Sequence, residues 1–124
     1  MRALVLGIAM GLVGLSALAQ ENKFSANYML PYCRDALNNQ APTLPSDAVM
    51  QGMCVGMIDA IDFMTREYPP EEQDYRSCPP SDVTLKQAVQ AVISYINARP
   101  ERMKEDFKKL AIEAIHDAWP CETN

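Results

Sequence analysis

The sequence predicts an all-α fold, a small four-helix bundle with two disulfides. Three observations carry that expectation. Apolar residues recur at i, i+3 and i+4 in four stretches, the spacing that gives a helix one apolar face. No stretch alternates apolar and polar residues for long, so a strand pattern is missing. Four cysteines, at 33, 54, 78 and 121, follow an amino-terminal segment that reads as an export signal.

That segment is MRALVLGIAMGLVGLSALAQ, with Arg2 as a short positive start and no charge from Ala3 to Ala19. Ala17-Leu18-Ala19 is the small-x-small pattern a signal peptidase accepts, so residues 1–19 read as a cleaved signal peptide. An uncleaved anchor is the alternative, because the apolar stretch is near the lower length for a span. Removing nineteen residues from 124 leaves 105, at residues 20–124, enough for one helical domain. Loss of Arg2 moves the net charge from −5 to −6. An acidic domain without a basic block does not suit nucleic acid, whose phosphates need clustered Lys and Arg. After Gln20 no apolar run approaches the ~20 residues of a membrane span, and the cut site has no cysteine for a lipid.

The first helix is expected over Ser25 to Asn38, with Tyr28, Met29, Tyr32, Cys33, Ala36 and Leu37 on one side. Pro31 interrupts it and allows a start only near that residue. After a loop through Pro42 and Pro45, helix two opens at Ser46-Asp47 and runs to about Arg66. Met50, Met53, Cys54, Met57, Ile58, Ile61 and Met64 form its apolar stripe. Its other side carries Gly52, Gly56 and Ala60, flanked by Val55 and Phe63. We read this as a central helix packed on two sides within the monomer, with a dimer seam as the alternative.

Glu67 to Asp82 is the least regular segment, with two Pro-Pro pairs that stop helices from entering. Loops this long in compact domains are often functional, and a solvated connection stapled at Cys78 is the even alternative. Helix three follows, where Thr84 and Gln87 fit a capping box. Leu85, Ala88, Val89, Val92, Ile93 and Ile96 make its apolar face. Pro100 suits the first turn of helix four, with Glu101 beside the positive helix end. Met103, Phe107, Leu110, Ala111, Ala114, Ile115 and Ala118 share its inner face, and Trp119-Pro120 close it.

Four cysteines allow three pairings by count alone. The layout favours Cys33–Cys54, on the inward faces of the first two helices, and Cys78–Cys121. The latter pair sits at the start of helix three and the end of helix four, which an antiparallel hairpin brings together.

The chemistry-bearing residues do not assemble into a catalytic pattern. His116 is the one histidine and falls opposite the apolar face of helix four, near Lys109 and Glu113. A surface role at a helix C-terminus suits it better than base catalysis, which also needs a nucleophile to activate. Cysteine separations of 21, 24 and 43 lack the tight pairs of a zinc site. Asp59 and Asp62 read as a solvated edge, and the helix-two methionines as core rather than a copper site. No cofactor is expected, and no enzyme.

The ordered motifs nevertheless resemble a family. Gly52-Met53-Cys54-Val55-Gly56-Met57-Ile58 is similar to a G-x-C-x-G-x-I/L helix pattern. Cys78-Pro79-Pro80-Ser81-Asp82-Val83-Thr84, with Gln87 after it, resembles C-P-P-x-x-V-T-x-x-Q. Tyr95 to Glu101 resembles Y-L-x-x-x-P-E, and Ala111 to Cys121 resembles an ending A-L-x-x-A-[FW]-P-C. Together they resemble the Rap/Tai immunity proteins, which neutralise peptidoglycan amidase effectors of the type VI secretion system. The resemblance implies a small helical periplasmic protein, commonly a homodimer, that plugs the cleft of a cysteine amidase. It transfers no contact residues, because the family's contacts lie in loops that vary. From the residues themselves, the loop Tyr68 to Arg76 is the candidate partner surface, through Tyr68, Glu71, Glu72, Asp74 and Tyr75, whose charge suits a basic cleft. The turn Asn97 to Glu101 is a second candidate. The competing function is a periplasmic stress protein, similar in outline to small acid-activated helical chaperones.

Overall fold

The computed structural model describes residues 22, 24–67 and 75–122. The expected signal segment, residues 1–19, lies outside them, as do residues 68–74 of the long loop. The architecture is an all-α four-helix bundle: α1 (Ala26–Leu37), α2 (Pro45–Glu67), α3 (Leu85–Asn97) and α4 (Phe107–Ala118). A 3-10 turn at Pro100–Arg102 links the last two helices. Among the described residues there is no sheet, and two isolated bridges, Ser25 with Asp106 and Ser77 with Pro120, tie loops together.

Pro31 does not delay α1. Ser25 caps it, its side chain accepting from the Tyr28 N–H. The first turn also borrows tertiary acceptors: Ala26 N–H donates to the Glu105 carbonyl at 2.9 Å, and Asn27 N–H to that of Met103 at 2.8 Å. In return Phe107 N–H, at the head of α4, donates to the Phe24 carbonyl at 2.7 Å. The two helix starts thus satisfy each other's free N–H groups, which outweighs the single bond Pro31 removes. At the far end Asn39 enters the left-handed region (φ 55°), and Gln40 N–H reaches back to the Asp35 carbonyl at 2.8 Å.

Helix two starts one residue before Ser46, at Pro45. Asp47 serves from inside the first turn, accepting from the Leu44 N–H (3.0 Å) and the Thr43 hydroxyl (2.8 Å). Helix three has the expected capping box, Thr84 with Gln87. Helix four departs from expectation: Pro100 opens only the 3-10 turn, and α4 begins at Phe107 behind Asp106, whose carboxylate accepts from Lys108 N–H at 2.9 Å. An aspartate cap satisfies a free N–H where Pro100 offers only a preset φ.

One core holds the bundle together. Met29, Cys33, Cys54, Ile58, Val92 and Ile96 meet Phe107, Leu110 and Ile115 with almost no exposure. Each of the hairpins α1–α2 and α3–α4 packs within itself and against the other. Helix two contributes least: of its 23 residues, Cys54, Ile58 and Thr65 are buried. The expectation that it packs on two sides within the monomer is therefore wrong. Gly52, Gly56 and Ala60 face outward, and nothing lies within 4 Å of a Cβ built on either glycine. Met64, placed on the inner stripe by spacing, is 52% exposed, and Met50, Met53, Met57 and Ile61 are half-buried. A 23-residue helix is longer than its 12- and 13-residue neighbours, and so cannot be covered by them along its whole length.

Candidate interaction surfaces

All four cysteines are oxidised, as Cys33–Cys54 and Cys78–Cys121, in the pairing the helix layout favours. The second bridge belongs to a clamp built from several elements. Ser77 is buried, and its hydroxyl lies 2.8 Å from that of Thr65 in the last turns of α2. Ser77 N–H donates to the Thr65 carbonyl at 3.2 Å, and Cys78 N–H to the Trp119 carbonyl at 2.8 Å. His116, half-buried on α4, approaches the Arg76 carbonyl to 2.6 Å through Nδ1. A carbonyl can only accept, so Nδ1 carries the proton. Sequence reasoning placed His116 on the surface and missed this strut, because Arg76 is forty residues away and contributes only its backbone.

Of the five expected contact residues, Tyr68, Glu71, Glu72 and Asp74 lie outside the described residues. Tyr75 is 36% exposed and directly precedes the clamp at 76–78. The second candidate, Asn97 to Glu101, is an exposed corner whose Arg99 is held in place. Its Nη1 donates to the Tyr95 carbonyl at 2.9 Å, and its guanidinium lies 3.5 Å from the Tyr95 ring centroid.

Beside that corner runs a charged network. Arg102 grips Glu105 with Nε (2.7 Å) and Nη2 (2.8 Å), and reaches Glu113 with Nη1 at 2.6 Å. Lys109 adds a second cation to Glu105 at 2.9 Å, and Tyr95 donates its hydroxyl proton to Glu113 at 3.0 Å. Arg102, helped by Lys109, holds the Glu105 carboxyl down at about 2. Arg102 also holds Glu113 below the carboxylate range, against the partial burial that pushes it up. Tyr95 is raised by burial and by its bond to Glu113. The Arg102–Glu105 and Glu105–Lys109 spacings, i+3 and i+4, are visible in the sequence. The reach from Arg102 to Glu113 is not, since it depends on where α4 starts.

Asp59 is exposed, and Asp62 pairs with Arg66 at 2.7 Å along α2, so the two aspartates form no acidic pair. Among the described residues no three His, Cys, Asp or Glu side chains gather as metal ligands, and no cysteine is a free thiol. The outward face of α2 is instead apolar. Val49 is 61% and Phe63 53% exposed on either side of Gly52, Gly56 and Ala60, and Leu44 precedes them at 60%.

No curated protein and no solved structure gives a significant match to this chain. The family model described as Rap1a immunity proteins matches residues 25–121. That stretch opens on the residue that caps α1 and closes on the last disulfide cysteine. It takes in all four helices and the clamp, and the chain belongs to the Rap1a family of immunity proteins.

Proposed function

We propose that this protein is exported to the periplasm, where it binds a type VI secretion peptidoglycan amidase effector and blocks it. The observation that carries the reading is the family match across the whole disulfide-bonded bundle. The amino-terminal segment and the use of all four cysteines in disulfides fit an oxidising compartment. The protein acts as an inhibitor and turns over no substrate. Its partner-facing residues are Tyr68, Glu71, Glu72, Asp74 and Tyr75, and the turn Asn97 to Glu101 is a second, separate candidate. Acidic groups of the first set meet a basic cleft and speed encounter as much as they hold it.

Reversing the charge of Glu71, Glu72 and Asp74 to lysine tests this surface. Inhibition of a type VI secretion peptidoglycan amidase effector that the wild-type protein inhibits should weaken at least tenfold, mostly through slower association at low salt. Unchanged inhibition removes the loop from the interface. Absence of a complex between the wild-type protein and any such effector of the strains that carry it overturns the function itself.

The protein also works as a homodimer in this reading, joined through the outward face of α2. The order Val49, Gly52, Gly56, Ala60, Phe63 is symmetric about Gly56. Two antiparallel copies would therefore set the large residue of one against the large residue of the other, and small against small. The same face suits a chaperone that binds unfolded clients, and that reading predicts suppressed aggregation of unrelated proteins in acid.

A further inference from the structure

Between α3 and α4 lies a solvent-open groove of about 340 Å³. It exists because the side chains along it are small: Ala91 and Ala98 on one side, Ala114 and Ala118 on the other. Arg99 stands at its α3 edge and the exposed Asp117 at its α4 edge. Arg99 differs from Arg102 and Lys109, the cations of the neighbouring network. Arg102 and Lys109 are neutralised by Glu105 and Glu113, whereas among the described residues Arg99 has no carboxylate within ion-pair distance. Its position is nonetheless fixed, one N–H tied to the Tyr95 carbonyl and one face stacked on the Tyr95 ring. Tyr95 is in turn anchored by Glu113. A half-buried, pre-positioned guanidinium with donors to spare is the group that takes a carboxylate in two parallel bonds, with little ordering left to do on binding.

We propose that this groove docks an acidic segment of another protein, its carboxylate seated on Arg99. The side chains before that carboxylate lie over the alanine floor, where the small lining leaves room for them. The acidic end meets Arg99, and an N–H or cationic end faces Asp117. This docking does not depend on the amidase reading, since its test contains no amidase.

The test follows amide shifts of the oxidised protein by NMR at low salt while two peptides are titrated, Ac-Gly-Ala-Ala-Asp-NH2 and Ac-Gly-Ala-Ala-Asn-NH2. The aspartate peptide should give saturable shifts confined to 91–99 and 114–118, with an affinity at least tenfold above that of the asparagine peptide. Arg99→Gln should erase the difference between them. Ala118→Leu, at an exposed position that fills the groove without entering the core, should abolish binding of both. Either variant is read only with an otherwise native amide spectrum, and the wild-type comparison stands without them. Shifts that do not saturate, equal affinity for the two peptides, or a preference that survives Arg99→Gln each overturn the proposal.

Discussion

Ser77 and Thr65 show how unequal the two ends of one hydrogen bond can be. The Thr65 hydroxyl also donates into its own helix, 2.9 Å from the Ile61 carbonyl. Ser77 is 1% exposed and has the Thr65 hydroxyl as its side-chain partner. Thr65→Val therefore strands a buried hydroxyl and should cost about 2 kcal/mol, whereas Ser77→Ala should cost about 1 kcal/mol. The double variant should cost less than the sum, because no polar group is left without a partner. Urea denaturation of the three variants measures this. Glu105 gives a second residue-scale expectation. Its folded value of about 2 lies below the ordinary 4.5, so the deprotonated form is favoured in the fold. The stability it contributes is complete above about pH 4.5 and is lost as pH falls toward 2. Melting curves should drop through that window, with a shallower slope in Glu105→Gln. Loosening already complete by pH 5 would instead favour the acid-activated chaperone reading.

Among the elements, α2 departs furthest from its sequence pattern. Methionine spacing located its inner stripe, and Cys54 and Ile58 are indeed buried there. The glycine stripe also showed that a close neighbour could fit. It could not show that none is present in the monomer, because spacing describes one helix and not what stands beside it. Gly56 lies in a helix interior with open space around its missing Cβ. Gly56→Ala should therefore raise monomer stability by about 0.5–1 kcal/mol through helix propensity alone. Gly56→Trp distinguishes the dimer: sedimentation should shift from dimer to monomer while helicity is kept. A species unchanged in mass would remove α2 from any seam.

On the scale of the molecule, the two disulfides do different work. Cys33–Cys54 sits in the core of the first hairpin, and Cys78–Cys121 closes the clamp outside it. Their cysteines are 21 and 43 positions apart, for which the chain-entropy picture gives about 3 and about 4 kcal/mol. Replacing Cys78 and Cys121 by serine should lower stability by about that larger amount and leave the helix content intact. Replacing Cys33 and Cys54 should cost more than its loop predicts, since two polar hydroxyls then occupy fully buried sites. Thermal melts read by circular dichroism compare the pairs.

The sequence by itself determined the helix count, the capping box of α3, the inward face of α3 and the cysteine pairing. All of these follow from local spacing and from helices that are neighbours in the chain. Tertiary structure alone decided where α4 begins, why α1 tolerates Pro31, and which side of α2 stays exposed. It also decided that His116, Thr65 and Ser77 brace one clamp and that, among the described residues, Arg99 is left without a carboxylate. Each of these depends on contacts between backbone groups or side chains far apart in sequence, and the shared carbonyls and carboxylates that make them leave no periodic trace.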